Sequence, residues 1–160
     1  MKRMLCLLLC AAFVLTLAGC NPTKAYSCRE LTMQVPEKVE DVSAAEENIL
    51  FNFALESDTI FICGIRQEIA AMEDGLTMTA EDYAHQLMED YQLEGYATHG
   101  ERRGYVYIRF SMPLQDGVHQ YLCGAYKSSQ AFWLIQMDAK TADFDEELFF
   151  DYLDSVKFSG

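Results

Sequence analysis

The cysteines are the residues of this chain best suited to chemistry, and there are six of them. Cys63 lies in the apolar segment FICGI and Cys123 in the apolar segment YLCGAY, whereas a reactive thiolate needs a partly exposed, electropositive surrounding. The pattern therefore favours buried structural thiols at both positions. The alternative is a thiol-dependent enzyme or hydrolase in which Cys123 or Cys63 works with His85, His99 or His119.

One helical segment carries side chains that bind metals in other proteins. Glu81, His85 and Glu89 are spaced four residues apart, so a helix places them on one side. The outer two stand about 12 Å apart along the axis at a rise of 1.5 Å per residue, which is too far for one ion. A solvated polar face explains them more simply, and we predict no metal and no other cofactor.

A strand-like segment, GYVYIRFSM, combines aromatic residues with an arginine. Tyr105, Tyr107 and Arg109 fall on one face of such a strand. Aromatic and arginine side chains are enriched at the energetic centres of protein interfaces, so these three residues are a candidate partner surface. The alternative is that a helix covers this face and the tyrosines are packing residues.

Common catalytic signatures are missing from the sequence. It contains no Gly-x-Ser-x-Gly, Gly-x-x-x-x-Gly-Lys, Cys-x-x-Cys or His-Glu-x-x-His pattern. We therefore assign no catalytic residue and expect a non-enzymatic module that binds an unknown protein or small ligand. An assembly factor with a mainly structural role is a third hypothesis.

The start of the chain has the build of a signal peptide. Lys2 and Arg3 precede an uncharged run from Met4 to Gly19 that ends in small residues. A membrane-spanning helix needs about 20 apolar residues, and this run is shorter and has no basic flank after it. Residues 1–19 are therefore predicted to be a signal peptide that is removed.

The residues at the end of that run, Leu17, Ala18, Gly19 and Cys20, resemble the lipobox of bacterial lipoproteins. The resemblance implies that the first three are recognised during processing, that the Cys20 thiol receives a diacylglyceryl group, and that the chain is cut just before Cys20. Two acyl chains on one residue make a durable anchor, since each buried CH₂ contributes about 0.8 kcal/mol. We expect a membrane-anchored protein that faces outside the cytoplasm. The alternative is an ordinary secretory signal followed by a free cysteine.

The composition of the mature chain limits its partners and its cross-links. The whole chain has a formal charge of −13, and loss of the signal peptide leaves ten basic against 25 acidic residues. Nucleic acid is disfavoured as a partner, because its binding needs clustered cations and the pair Arg102 and Arg103 is too small. Three cysteines, Cys28, Cys63 and Cys123, remain in the mature body, and an odd number cannot all pair with one another.

The remaining sequence predicts a single α+β domain at residues 31–160, preceded by a lipidated tether at residues 20–30. A helix is predicted at residues 80–92, where Thr79 and Asp82 have capping-box spacing and an apolar stripe extends to Tyr91. A second helix is predicted at residues 143–156, with acidic residues in its first turn. Between the helices, β-rich runs and turn residues predict an antiparallel sheet of about six to seven strands with the helices packed on it.

Two pairs of neighbouring β-rich runs are predicted to form hairpins with short polar turns. If the turns are centred on the dipeptides SD and SS, then Phe51 faces Gly64 and Trp133 faces Gly124. Each glycine would leave room for a large ring to lie across the neighbouring strand.

The order of elements, a strand, a hairpin, a helix, a meander and a helix that ends in YLDSVKF, resembles bacterial lipoproteins with the PsbP-like fold. That fold is named for an extrinsic subunit of photosystem II and is shared with the nuclear Ran-binding protein Mog. The resemblance covers residues 31–158. It implies an antiparallel sheet with helices packed on it, and a family better known for binding partners than for catalysis. No residue here matches a photosystem or Ran contact surface, so neither partner is carried over.

Overall fold

The computed structural model describes residues 21–141 and 144–160, which form ten strands in two sheets and two helices. The strands are β1 (Thr23–Cys28), β2 (Leu31–Pro36), β3 (Glu40–Asp41), β4 (Phe53–Glu56), β5 (Ile60–Glu68), β6 (Thr98–Arg102), β7 (Tyr105–Leu114), β8 (Gly117–Lys127), β9 (Ala131–Ala139) and β10 (Lys157–Phe158). The helices are α1 (Ala80–Asp90) and α2 (Glu146–Asp154). Within the described residues, neither helix has the length and apolar character of a membrane span.

The predicted α+β class is confirmed. Seven strands form one antiparallel sheet in the order β3-β4-β5-β9-β8-β7-β6, and the other three form a small antiparallel sheet in the order β1-β2-β10. The predicted meander is strands β6 to β9, in which each strand pairs with the next. The small sheet and α2 cover one face of the large sheet and α1 covers the other, which gives two apolar core clusters.

The prediction of a short tether is wrong for residues 23–28, because they form β1. This strand pairs with β2 along its whole length, from Thr23 opposite Pro36 to Cys28 opposite Leu31. Its sequence, TKAYSC, is mostly exposed and lacks apolar alternation, so periodicity gave no strand signal. Tyr26 packs its ring 5.1 Å from the ring of Phe53, which ties β1 to the core.

One face of the large sheet is covered by the small sheet and α2 together. Strand β2 alternates buried and exposed residues, and its inward set, Leu31, Met33 and Val35, is almost completely buried. These side chains belong to the same core cluster as Phe53 and Trp133 of the large sheet. This alternation of buried and exposed residues is the pattern by which a sequence predicts a half-buried strand.

A largely buried carboxylate, that of Glu30, fastens the small sheet to the large one. Trp133 donates its indole N–H to Glu30 at 3.1 Å, and the Arg66 guanidinium donates to the same carboxylate at 2.9 Å. Burial alone would raise the pKa of Glu30, but hydrogen bonds from its own backbone, Trp133 and Arg66 outweigh burial and lower it. Removing one partner of such a buried pair typically costs about 3–5 kcal/mol.

A second carboxylate, Asp154, fastens α2 to the edge of the large sheet. Arg102 donates two hydrogen bonds to Asp154 at 2.9 and 3.0 Å, and the Tyr105 hydroxyl donates a third at 2.9 Å. Arg103 also lies 3.3 Å from this carboxylate. The Arg102 and Arg103 pair noted in the sequence therefore holds a helix in place.

The opposite face of the large sheet receives α1, whose predicted cap is confirmed. Thr79 accepts from the Asp82 amide, and the Asp82 carboxylate accepts from the Thr79 amide, so both halves of the capping box are present. The helix buries Tyr83, Ala84, Leu87 and Met88 against the sheet. It ends at Asp90, and Tyr91, predicted to close the apolar stripe, is mostly exposed.

The second helix is shorter than the predicted range of residues 143–156. Asp145 caps it by accepting from the Leu148 amide at 3.1 Å, and Glu146 and Glu147 lie in its first turn, where carboxylates favour the helix dipole. Asp143 lies outside the described residues. After α2 the chain turns back to form β10 against β2.

The predicted register of both hairpins is wrong by two residues. The Ser57 amide donates to the Ile60 carbonyl at 2.9 Å, so that turn is centred one residue later than predicted. Phe53 therefore faces Gly64 where Phe51 was expected. The Ser128 amide donates to the Ala131 carbonyl in the same way, so Trp133 faces Tyr126, and Gly124 faces Ile135.

We predict that Gly64→Ala destabilises the fold by about 1–3 kcal/mol, the usual cost of overpacking a core. A Cβ at Gly64 would lie 2.1 Å from a ring carbon of Phe53, which is completely buried. Denaturant unfolding of Gly64→Ala in the wild-type and Phe53→Leu backgrounds measures the coupling. The cost should fall clearly in the Phe53→Leu background. An equal cost in both backgrounds would contradict the close approach.

Candidate functional site

A groove of about 340 Å³ opens on the face of the large sheet that carries α1. Residues of β5, β7, β8 and β9 form its floor, Leu87, Tyr91 and Leu93 form the wall from the end of α1, and Phe51 lines it from the loop before β4. Three other concavities of the described residues are lined mainly by polar and charged side chains. The groove is therefore the apolar candidate site of the described structure.

The groove exists because α1 is too small for the face that it covers. Eleven residues at 1.5 Å each make a helix about 16 Å long and roughly 10 Å wide. Seven strands spaced about 4.8 Å apart form a sheet roughly 29 Å across. The helix packs over β7 and β8, and apolar residues beside it on β5 and β9 stay open to the groove.

Stacked aromatic rings form part of the groove lining. Phe110 and Tyr121 are cross-strand partners on β7 and β8, and their rings stack at 4.8 Å with an interplanar angle of 9°. Gln136 of β9 contributes the amide of the lining, and Cys123 lies beside it on β8. The floor thus offers flat apolar surfaces and two neutral hydrogen-bonding groups, the amide of Gln136 and the hydroxyl of Tyr121.

A charged network lies on the same side of the sheet, next to the groove lining. His119 Nδ1 lies 2.8 Å from Asp138, and His119 Nε2 lies 3.2 Å from Asp116. Hydrogen bonding to Asp138 raises the pKa of His119, although burial acts in the opposite direction. The raised pKa favours the doubly protonated ring. The Tyr121 ring stands 6.3 Å from the His119 ring, and burial raises the pKa of Tyr121 to about 12.

Neither Cys63 nor Cys123 has the surroundings of a nucleophile. Cys63 and Cys123 are buried, and desolvation raises the pKa of Cys63 to about 12 and shifts that of Cys123 in the same direction. Both ring nitrogens of His119 face carboxylates. Cys28 is half-buried, and its Sγ lies 3.6 Å from the Asn52 carbonyl oxygen. All three described cysteines are free thiols.

The candidate metal residues lie on an exposed surface. Glu81, His85 and Glu89 are all exposed on α1, as predicted for a polar face. His85 and His99 stand with their ring centroids 5.0 Å apart, a proximity between α1 and β6 that sequence spacing did not reveal. Within the described residues, no group of three or more histidine, cysteine, aspartate or glutamate side chains is arranged to hold a metal ion.

The prediction of a partner surface at Tyr105, Tyr107 and Arg109 is wrong, because α2 covers that face. Tyr105 is buried and bonded to Asp154, and Tyr107 meets Phe150 of α2 edge-on at 5.2 Å. Arg109 is exposed but pairs with Glu146 of α2 at 2.7 Å. The packing alternative is therefore correct for this face. Leu17, Ala18, Gly19 and Cys20 lie outside the described residues.

Sequence reasoning missed the groove because its lining comes from six separate segments. One local signal was present: Gln136 and Asp138 interrupt the apolar run AFWLIQMDA at alternate positions, which places two polar groups on one face of a buried strand. Buried polar groups mark places where the interior has a special environment. Here they mark the floor of the groove and the His119 network.

We predict that His119 stabilises the fold most at mildly acidic pH. Its pKa is raised on folding, so its stabilising contribution is complete below the unfolded-state value of about 6.5 and is lost as pH rises through the folded-state value. The difference in unfolding free energy between wild type and His119→Gln should be larger at pH 5.5 than at pH 9. In an Asp138→Asn background the pH dependence of that difference should shrink. A pH-independent difference in the Asp138-containing protein would contradict the charged network.

Comparison with known proteins identifies a similar fold. No protein-family model matches the chain, and no curated protein matches its sequence. A crystal structure of a protein from Bacteroides thetaiotaomicron VPI-5482 is similar, with a TM-score of 0.56 and 5% sequence identity. The similarity covers 86% of this chain and 48% of that protein, so the chain spans about half of its length. At 5% identity the likeness concerns the fold alone, and function has to be argued from the groove.

Proposed function

We propose that this protein is a lipid-anchored, extracytoplasmic binding module whose domain holds a small apolar ligand in the groove beside α1. The observation that carries the proposal is the groove itself. Its volume of about 340 Å³ falls within the usual range of small-molecule pockets, roughly 300–1,000 Å³. Its lining is aromatic and aliphatic with few polar groups, which is also typical of such pockets.

The chemistry of the lining favours a neutral, flat ligand. No aspartate, glutamate, lysine or arginine lines the groove, and burying an unpaired charge there would be costly. The stacked pair Phe110 and Tyr121 offers a surface for a planar apolar body, and Gln136 offers an amide for one hydrogen bond. The acidic character of the chain also disfavours anionic ligands.

The lipobox resemblance at residues 17–20 supports the anchored part of the proposal. Two acyl chains on Cys20 would hold the domain at the outer surface of the cell membrane. Apolar ligands concentrate in membranes, so a tethered module would meet them often. The resemblance to PsbP-like lipoproteins remains part of the proposal, and it agrees with a binding role.

The thiol-enzyme alternative has less support than the binding function. A nucleophilic cysteine needs a lowered pKa and a base within hydrogen-bond reach. Burial acts in the opposite direction on the pKa of Cys63 and Cys123. His119 is engaged by two carboxylates, and His85 and His99 are exposed on another part of the surface.

We expect 2-naphthol, a neutral bicyclic probe with one hydroxyl, to raise the thermal midpoint of the wild-type protein. At ten times its Kd a ligand adds about 1.4 kcal/mol, which corresponds to a shift of about 5 °C for a domain of this size. Ile65→Trp places a large ring in the groove and should abolish the shift, because Ile65 lines it. Circular dichroism follows the midpoint without interference from the anchor.

The matched control is Leu76→Trp, which adds the same ring at an exposed leucine outside the groove lining. This variant should keep the full shift. Gln136→Leu should keep part of it, because the apolar contacts remain and the hydrogen bond is lost. Equal shifts in wild type, Ile65→Trp and Leu76→Trp would rule out the groove as the binding site.

We also expect Cys20→Ser to leave the domain folded but unprocessed and without lipid, since the thiol is the acylated atom. Lipid labelling and membrane flotation of the two proteins would measure the difference. If Cys20→Ser incorporates as much lipid label as wild type, the anchor assignment is wrong.

A further inference from the structure

The hairpin of β7 and β8 extends beyond its neighbours as an exposed arm, formed by residues 111–118. All eight residues are exposed, although the two strands remain paired down to Leu114 opposite Gly117. Half of the arm is apolar: Met112, Pro113, Leu114 and Val118. A protein keeps such a concentration of exposed apolar side chains at sites that meet a partner or a membrane.

The arm lies at the end of the domain where β1 begins. Next to the start of β1, the Pro22 carbonyl accepts from the Glu37 amide, and β3 then pairs Glu40 with Glu56 beside the β4–β5 turn. At that same turn the Thr59 carbonyl accepts from the Lys140 amide at the end of β9. The end of β9 in turn pairs with β8, whose first residues belong to the arm.

Strand β8 pairs Gln120 with Ala139, and Gly117 at the tip of the arm lies three residues further in the same direction. The other end of β8 is marked by Lys127, whose ammonium donates to the Leu76 carbonyl at 3.1 Å. Leu114 and Leu76 are therefore exposed leucines at opposite ends of the large sheet.

We propose that the arm inserts its apolar side chains into the membrane surface to which Cys20 anchors the chain. This inference rests on the proposed function. From Cys20 to Thr23, where β1 begins, three residues reach at most about 11 Å. A lipid on Cys20 would therefore hold this end of the domain, with the arm, against the bilayer. The position of the anchor therefore favours the bilayer as the surface that the arm contacts.

The contact is apolar in nature. Asp116 is the ionisable residue of the arm, and acidic residues such as Glu37, Glu40 and Asp58 outnumber basic ones at this end. Anionic lipid headgroups would repel this surface, so neutral phospholipid suffices and added salt does not weaken the contact. This separates the arm from polybasic membrane-binding segments.

Insertion of the arm would also place the mouth of the groove beside the bilayer. Met112 belongs to the arm and lines the groove as well. Phe110, the next residue on the same face of β7, lines it too. An apolar ligand would then pass from the lipid phase to the groove along a continuous apolar surface, without entering bulk water.

Tryptophan reporters in the full, lipidated chain test the proposal. Leu114→Trp is compared with Leu76→Trp after reconstitution into dioleoylphosphatidylcholine vesicles that contain acyl-chain-brominated phosphatidylcholine, a short-range quencher. Native Trp133 is completely buried and supplies the same background in both proteins. We expect at least twofold greater quenching for Leu114→Trp, unchanged by 0.5 M salt. Equal quenching of the two reporters overturns the proposal.

Further outcomes separate the arm from the anchor. If the floated vesicles carry no protein, the proposed function fails and the arm proposal fails with it. If the protein floats but Leu114→Trp is quenched no more than Leu76→Trp, the arm alone is refuted. If the tryptophan of Leu114→Trp becomes shielded from water only when membrane proteins are added, the arm binds a protein partner. That result would refute the lipid contact. Should Leu114→Trp disturb folding by circular dichroism, Val118→Trp, also exposed, replaces it with the same expectation.

Discussion

Both faces of a seven-stranded sheet have to be removed from water, and the rest of this structure depends on that requirement. One face is covered by a second sheet and α2, which together form a continuous layer. The other face is covered by α1, a helix of eleven residues with four buried side chains. The two layers differ in area, so one face is closed and the other keeps a groove of about 340 Å³. The candidate site is thus a consequence of how the sheet is covered.

Two largely buried carboxylates fasten the layer that covers the closed face. Glu30 accepts from Trp133 and Arg66 and holds the small sheet on the large one. Asp154 accepts from Arg102 and Tyr105 and holds the end of α2 at the sheet edge. Directional, charge-assisted hydrogen bonds of this kind specify an arrangement that apolar burial alone leaves open. On the α1 face the buried ionic network of His119 and Asp138 lies within the sheet, so it stabilises the floor without closing the groove.

An apolar groove, an exposed apolar arm and the proposed lipid anchor at Cys20 agree with a single proposed role at a membrane surface. The groove has an aromatic lining without charged residues, and the arm shares Met112 with that lining. A small domain next to a bilayer can receive an apolar ligand with little exposure of the ligand to water. Catalysis is less well supported, since Cys63 and Cys123 are buried and their pKa values are raised. The proposed role of the domain is therefore to hold a ligand.

The sequence by itself determined features that depend on near neighbours: the capping box of Thr79 and Asp82, the alternation of β2, the meander and the α+β class. These follow from local hydrogen bonds and from hydrophobic periodicity, which a single segment displays. Only the tertiary structure decided that polar residues 23–28 pair as β1, that α2 covers Tyr105 and Tyr107, and that Phe53 lies over Gly64. Turn geometry set that register, and contacts between distant segments set the rest. The groove belongs to the second group, because it is a gap between elements, and its size depends on how far one helix extends over a sheet.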